Sequence, residues 1–241
     1  MIALILRMLA AKGCIDEIYL DGRRAARIAC PPALVPAPGQ YLLATVSSNT
    51  AAAMAQLVYS AGTCATGFYA APPLPAYWLP GAVLELRGPI GHGFSLPPSA
   101  RKVLLAAFDG SCARILALLE PSLAQKASVV LLTDQAPTDL PAALEILPTT
   151  ALPETYLWAD YLAIEIRREH LPDLLEMLIP DRKSSFPQSK NIPSRLGSAQ
   201  VLVETPVPCA GLADCGVCAV NLRPGRGFKL ACKDGPVFDL Y

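Results

Sequence analysis

The 241-residue chain is short of charge, with 17% of its residues Asp, Glu, Lys or Arg against about a quarter in an ordinary soluble domain. Those charges balance at 20 basic and 20 acidic, so the electrostatic footprint of a nucleic-acid binder is missing. Low charge combined with 53% apolar residues excludes a disordered chain as well. Also missing is any uninterrupted apolar run of the roughly 20 residues that a membrane-spanning helix requires; Val103–Phe108 and Val129–Leu132 are only strand-length. Histidine occurs twice. Neither His92 nor His170 has an acid and a nucleophile beside it in sequence, so no triad is legible, and both read as surface or capping residues. The apolar start Met1–Cys14 is broken by Arg7 with no basic residue before it, unlike a secretory signal. The expectation is a cytoplasmic chain whose eight cysteines are thiols or metal ligands rather than disulfides.

Proline, by contrast, is abundant at 24 residues, about twice average usage, and it helps to divide the chain. Up to about residue 97 the pattern is short β-type runs: Ile2–Met8, Glu17–Leu20, Ala25–Ala29, Tyr41–Val46, Gln56–Tyr59 and Val83–Leu86. Asp21-Gly22, Pro38-Gly39 and Pro80-Gly81 punctuate them as turns. This spacing predicts a small antiparallel β-barrel or sandwich over residues 1–97. Beyond Pro97-Pro98 continuous apolar strands at Lys102–Phe108 and Ser128–Thr133 flank a helix at Ser111–Leu119. A strand at Leu157–Ile166 and a helix at Leu171–Leu178 follow. Strands apolar on both faces alternating with helices predict a parallel-sheet α/β domain over residues 98–181. Residues 182–198, polar and without a period, read as a linker, and 199–241 as a small cysteine-cluster domain opened by the strand Ala199–Glu204. The fold class is thus multi-part α+β.

Four cysteines fall in the last 33 residues as Cys209-x5-Cys215-x2-Cys218-x13-Cys232. A Cys-x2-Cys pair delivers two thiolates to one centre from a tight turn, and three close ligands plus a distant one suit plant-type [2Fe–2S] spacing better than the two close pairs of a structural zinc site. With no histidine nearby, a Rieske centre is not expected. Zinc, or four unligated thiols, stay open as alternatives. The small residues around the cysteines, such as Ala210, Gly211 and Gly216, leave room for backbone N–H groups to approach sulfur. Cys14, Cys30, Cys64 and Cys112 are scattered singly and read as core fillers.

The tail Cys209–Asp239, ending Cys232-Lys233-Asp234-Gly235-Pro236-Val237-Phe238-Asp239, resembles the iron–sulfur end of the electron-transfer subunit of class B dihydroorotate dehydrogenase, of the ferredoxin-reductase superfamily. Pro38-Gly39-Gln40-Tyr41 and Gly88-Pro89-Ile90-Gly91-His92-Gly93-Phe94 resemble it too, as does the order of barrel, α/β domain and cluster. The resemblance implies electron flow from NADH through FAD and a [2Fe–2S] cluster to a partner oxidoreductase subunit that oxidises dihydroorotate in pyrimidine biosynthesis. It also implies a hetero-oligomer. Where the family has four residues between its first two cluster cysteines, this chain has five.

The family's flavin motif, Arg-x-aromatic-Ser/Thr, reads Leu57-Val58-Tyr59-Ser60, so Tyr59 and Ser60 are the candidate FAD residues and the phosphate-pairing arginine is absent. The family's Gly-Thr pair has no match in Ala71–Trp78. In place of the glycine run that meets a dinucleotide's phosphate stands Phe108-Asp109-Gly110-Ser111-Cys112-Ala113, adding bulk and negative charge. NAD(P)H is therefore not expected to bind well, and Asp109 reads as a helix N-cap. Trp158-Ala159-Asp160-Tyr161 stands for the family's Cys-Gly-Pro turn. Asp160, Glu165 and Glu169 read as a solvated strand edge, and Arg167-Arg168 and Arg182–Lys190 as solvated charges. An apolar, weakly charged chain of this kind is expected to have much of its surface covered by a partner. The alternative reading is a non-catalytic paralogue, a cluster- or zinc-bearing docking subunit without FAD or NADH.

Overall fold

The computed structural model describes residues 9–46, 54–142, 144–178, 198–222 and 227–240. Strands β1 (Leu9–Ile18), β2 (Ala26–Ala29), β3 (Tyr41–Val46), β4 (Gln56–Cys64), β5 (Gly67–Ala70) and β6 (Val83–Ile90) close into an antiparallel barrel in the order β1-β2-β5-β4-β3-β6. Alternation puts Ile15, Ile28, Leu42, Val58, Phe68 and Leu84 inside it, each fully buried aliphatic or aromatic side chain contributing about 1.5–3 kcal/mol. The β1–β2 turn is tied by Asp21, whose carboxylate accepts from the backbone N–H of Arg23 at 2.9 Å and of Arg24 at 2.7 Å. β4 runs five residues beyond the expected Tyr59 and turns into β5, which the sequence pattern did not mark because four residues are too few to show a period. The expected run Ile2–Met8 lies outside the described residues.

The second sheet has the order β14-β11-β10-β7-β8-β9, from β7 (Lys102–Ala107), β8 (Ser128–Thr133), β9 (Glu145–Leu147), β10 (Tyr161–Arg167), β11 (Ser198–Glu204) and β14 (Val237–Asp239). All neighbours are parallel except β14, which runs antiparallel to β11. On one face lie α1 (Ala113–Leu116) and α2 (Leu119–Ala124), and on the other α4 (Leu171–Leu178), with the one-turn α3 (Leu152–Thr155) nearby. The expected single helix over Ser111–Leu119 is therefore two short pieces. Pro121 brings no N–H and is tolerated only in a first turn, which a new helix beginning at Leu119 provides. The start of the expected strand Leu157–Ile166 is instead a 3-10 turn at Tyr156–Trp158.

The strand that opens the cysteine segment, β11, and the one that ends it, β14, both belong to this sheet, so the segment between them is a long excursion from it. That excursion holds the ribbon β12 (Ala219–Val220) with β13 (Lys229–Leu230) and the one-turn α5 (Ala231–Asp234). Cys218, Val220, Ala231 and Cys232 are packed in the same core as Ile164, Leu174 and Val203. The linker over residues 182–198, with the Arg182–Lys190 run, lies outside the described residues except for Ser198, the first residue of β11.

Three motifs far apart in sequence meet at one point. His92 N donates to the Gly235 carbonyl at 2.6 Å, and His92 bridges Pro236. A Cβ on Gly39 (φ +86°) would stand 2.6 Å from the Val237 side chain, and one on Gly91 (φ +84°) 2.5 Å from the Gly235 carbonyl. Both positions need the left-handed backbone and the missing side chain together. Here the barrel and the C-terminal tail lock.

Candidate functional site

The four C-terminal cysteines come together as two pairs. Cys218 Sγ lies 3.3 Å from Cys232 Sγ, both buried, and the Cys209 and Cys215 side chains are within hydrogen-bonding reach of each other. Among the described residues no three His, Cys, Asp or Glu side chains close on a single metal position. The first pair is the wetter one. Burial alone would raise the Cys209 thiol, but donation from Cys215 and from the backbone N–H groups of Cys215, Ala213 and Asp214 outweighs it and brings the thiol down to about 7. Cys232 goes the other way, pushed up to about 12 by burial and by the neighbouring Cys218 and Cys209. Ala210 and Ala213, at φ +50° and +62°, and Gly211 and Gly216, at +80° and +68°, give this loop its left-handed backbone, and the N–H groups of Ala213, Asp214 and Cys215 face the Cys209 sulfur. Positive φ at two alanines is strained, and such strain collects where backbone amides must face a ligand. Arg168, expected to be solvated, holds the loop from below by donating from Nη1 to the carbonyls of Val217 and, at 3.4 Å, Ala219.

The other cysteines differ among themselves. Cys112 is a core residue, whereas Cys14, Cys30 and Cys64 are only half-buried. All eight are free thiols.

Tyr41, the first residue of β3, joins the cysteines to the barrel. It is fully buried, its hydroxyl has no hydrogen-bond partner among the described residues, and the turn at Gly211 passes it, a Cβ there lying 3.7 Å from Oη. On its other side the ring meets Tyr59 at 5.6 Å between centroids, tilted 49°.

The two candidate flavin residues face different surroundings. Ser60 lines a cleft of about 570 Å3 between the barrel and α1–α2, whose walls include Pro38, Gly62, Thr63, Tyr69 and Leu116 and whose rim carries Arg23 and Arg24. A cleft of this volume is in the range of small-molecule pockets. Its hydroxyl accepts from Gly62 N at 3.1 Å and is within 3.1 Å of the Gly62 carbonyl. Arg24 is engaged with Asp21 at 2.9 Å, while Arg23 keeps a buried Nε without a partner among the described residues. Tyr59 does not line the cleft. It is buried at the seam between barrel and sheet, with the Arg114 guanidinium 4.9 Å over its ring.

Arg114 is the residue that the sequence reading passed over. Its one available signal is a lone cation inside Cys112-Ala113-Arg114-Ile115-Leu116-Ala117-Leu118-Leu119. It is buried against two carboxylates, Glu165 at 3.0 Å and Glu204 at 3.1 Å. The solvated-edge expectation for Glu165 is corrected: β10 lies between β7 and β11, so Glu165 points into the interior at 6% exposure. Burial dominates its ionisation, raising it to about 7. Arg114 opposes that rise, and the negative charges of Glu204 and Asp109 reinforce it. One guanidinium serves two acids and stays fully charged itself. Asp160 is remote from this group, accepting from the backbone N–H of Arg101 and Lys102 at 2.9 and 3.0 Å.

The crevice beyond the carboxyl ends of β7 and β10, where the chain crosses from one side of β7 to the other, is where such sheets bind dinucleotides. Here Asp109 occupies it. Rather than capping α1, as expected, Asp109 accepts from the backbone N–H of Arg167 at 2.7 Å and pairs with His170 at 2.6 Å. The N-cap position is Cys112, which makes no side-chain cap bond; Ser111, one residue before it, takes the N–H of Ala113 on its Oγ at 3.2 Å. His170 is thus an acid-paired residue of the crevice, and His92 a tie to the tail through the Asp234 carbonyl at 3.2 Å.

No protein-family model matches the chain, and no curated protein matches it in sequence. Among solved structures, a ferredoxin reductase in carbazole 1,9a-dioxygenase is similar with a TM-score of 0.60 at 16% identity, over 83% of this chain and 70% of that one. The NADH-dependent reduced ferredoxin-NADP oxidoreductase studied for flavin-based electron bifurcation is similar at 0.66 and 14%, over 95% of this chain and 88% of that one. Ferredoxin-NADP+ reductase from Plasmodium falciparum follows at 0.55 and 12%, over 81% and 95%. The barrel and the parallel sheet are therefore those of the ferredoxin-reductase fold. No helix among the described residues is long and apolar enough to cross a membrane.

Proposed function

We propose that the protein is an electron-transfer component of the ferredoxin-reductase type that carries a [2Fe–2S] cluster on Cys209, Cys215, Cys218 and Cys232. The observation that carries this reading is the pairing of the cysteines, 209 with 215 and 218 with 232. A two-iron cluster takes two thiolates on each iron, whereas a structural zinc takes four around one centre. The backbone N–H groups facing the Cys209 sulfur and the orphaned Tyr41 hydroxyl fit a group rich in sulfur acceptors. The cleft at Ser60 fits the ring system of FAD, with Arg23 as a cation for its phosphates where the motif arginine is missing. Bound there, a flavin would exchange electrons in pairs with a donor and singly with the cluster. This chain's part is to orient the two groups on either side of the Tyr41–Tyr59 pair and to keep water from the seam.

The cluster's outlet is a partner oxidoreductase, of the dihydroorotate dehydrogenase type by the resemblance in the tail. Leu212 at 67% exposure and Val217 at 42% flank the exposed Cys215 in sequence, which supports docking of a protein partner there. A second reading, a docking paralogue that bears the cluster but takes no NADH, is favoured by Asp109 and His170 in the dinucleotide crevice.

Metal, labile sulfide and flavin analysis of anaerobically prepared protein tests the proposal. Iron and sulfide in equal amounts with absorption at 400–600 nm are expected, roughly two of each per chain; colourless protein with stoichiometric zinc refutes it. Cys218→Ser is expected to abolish the colour and Cys64→Ser to leave it. Reduction of a dye by NADH separates the two readings.

A further inference from the structure

A buried hydroxyl without a partner is rare in a folded protein, because leaving a donor dry and unpaired carries a desolvation penalty. Tyr41 is such a group, and its surroundings say what it faces. The ring is fully enclosed and the hydroxyl is unpaired among the described residues. The Gly211 turn, in the loop joining Cys209 to Cys215, passes over Oη. Cys232, Cys218 and Cys209 all lie close enough to act on the phenol electrostatically. A phenol keeps its proton throughout the physiological range, so the group is an O–H donor. A centre held on these cysteines would bring sulfur acceptors to the side of the hydroxyl that the Gly211 turn covers. On the opposite face the ring contacts Tyr59, whose strand leads directly to the cleft residue Ser60.

We propose that Tyr41 is a positioning residue for the redox centre on the four cysteines, donating its O–H to a thiolate or sulfide sulfur of that centre and raising its reduction potential. The inference rests on the iron–sulfur reading above. A donated hydrogen bond is stronger to the reduced centre, which carries one more negative charge, so it favours reduction. It also fixes the centre against the tyrosine pair that separates it from the cleft.

The experiment compares full-length wild type with Tyr41→Phe, each reconstituted anaerobically with ferrous iron and sulfide. The variant is expected to take up the same iron and sulfide. Its midpoint potential falls, with the reduced-to-oxidised ratio at a fixed potential lowered about tenfold, which for one electron is about 59 mV. A second readout uses the metal-free proteins, where the hydroxyl has no partner among the described residues: Tyr41→Phe melts at the same temperature as wild type or higher. A cluster of unchanged potential overturns the inference, as does a metal-free variant that melts well below wild type, since the hydroxyl would then have a purely structural partner. Wild type that takes up no cluster removes the iron–sulfur reading and this inference with it, an outcome distinct from an unchanged potential in the variant.

Discussion

Replacing Glu165 by Gln removes a buried negative charge that the fold can barely accommodate. In the open chain the carboxyl ionises at 4.5; in the folded protein burial, helped by Glu204 and Asp109 and opposed by Arg114, raises it to about 7. Between those two values the folded chain binds more protons at this site than the unfolded one. The stability contributed by protonation is thus complete below 4.5 and is lost as pH rises through about 7. At about 1.4 kcal/mol per pH unit, the loss accumulates to about 3 kcal/mol. Gln has no proton to lose and keeps an oxygen for Arg114. Urea unfolding of both proteins at half-unit steps from pH 4 to pH 9 is expected to give a stability difference, variant minus wild type, that climbs by about 3 kcal/mol between pH 4.5 and 7 and then levels. The difference cancels every other titrating group that the two proteins share. A flat difference refutes the account, and so does one in which the variant loses ground as pH rises, the pattern of an acid whose ion pair outweighs its burial.

Removing Arg114 as Arg114→Met leaves Glu165 buried without its cation and is expected to cost about 3–5 kcal/mol in chemical denaturation at pH 8. The cost should shrink at pH 5, where Glu165 is protonated in either protein. A Gly91→Ala substitution places a Cβ 2.5 Å from the Gly235 carbonyl at φ +84°. It is expected to destabilise the protein by about 2–3 kcal/mol, read as a drop in the urea midpoint. Gly22→Ala, with positive φ but nothing within 4 Å of the new methyl, should cost visibly less.

Local pattern carried far in this chain because much of its structure is locally encoded. β3 and β8 fall where alternation and apolar runs put them, and α4 where an amphipathic period put it. The turns that separate the barrel strands are short-range chemistry of Asp, Pro and Gly. The cysteine spacing marked four residues, which the fold sets as two pairs, 209 with 215 and 218 with 232. The expected strand Glu17–Leu20 overlaps only the last two residues of the ten-residue β1, and what else escaped was either too short for a period, as β5 and β9 are, or decided by partners distant in sequence. Arg114 and Glu204 are 90 positions apart, so nothing beside either residue marks the pair. Glu165 reads as part of a solvated strand edge until the neighbouring strands on both sides show that it cannot reach water.

By itself, then, the sequence determined a barrel, a parallel sheet and a set of four cysteines, because turn chemistry, side-chain period and close thiol spacing all act within a few residues. Tertiary structure alone decided how those parts face one another. It paired the cysteines two by two, brought the Tyr41 hydroxyl against the Gly211 turn, and divided Tyr59 from Ser60 so that only the serine meets the cleft. It also set Asp109 in the crevice that a dinucleotide would need. These outcomes depend on packing between elements, where burial and charge pairing are settled by the whole fold and by no segment of it.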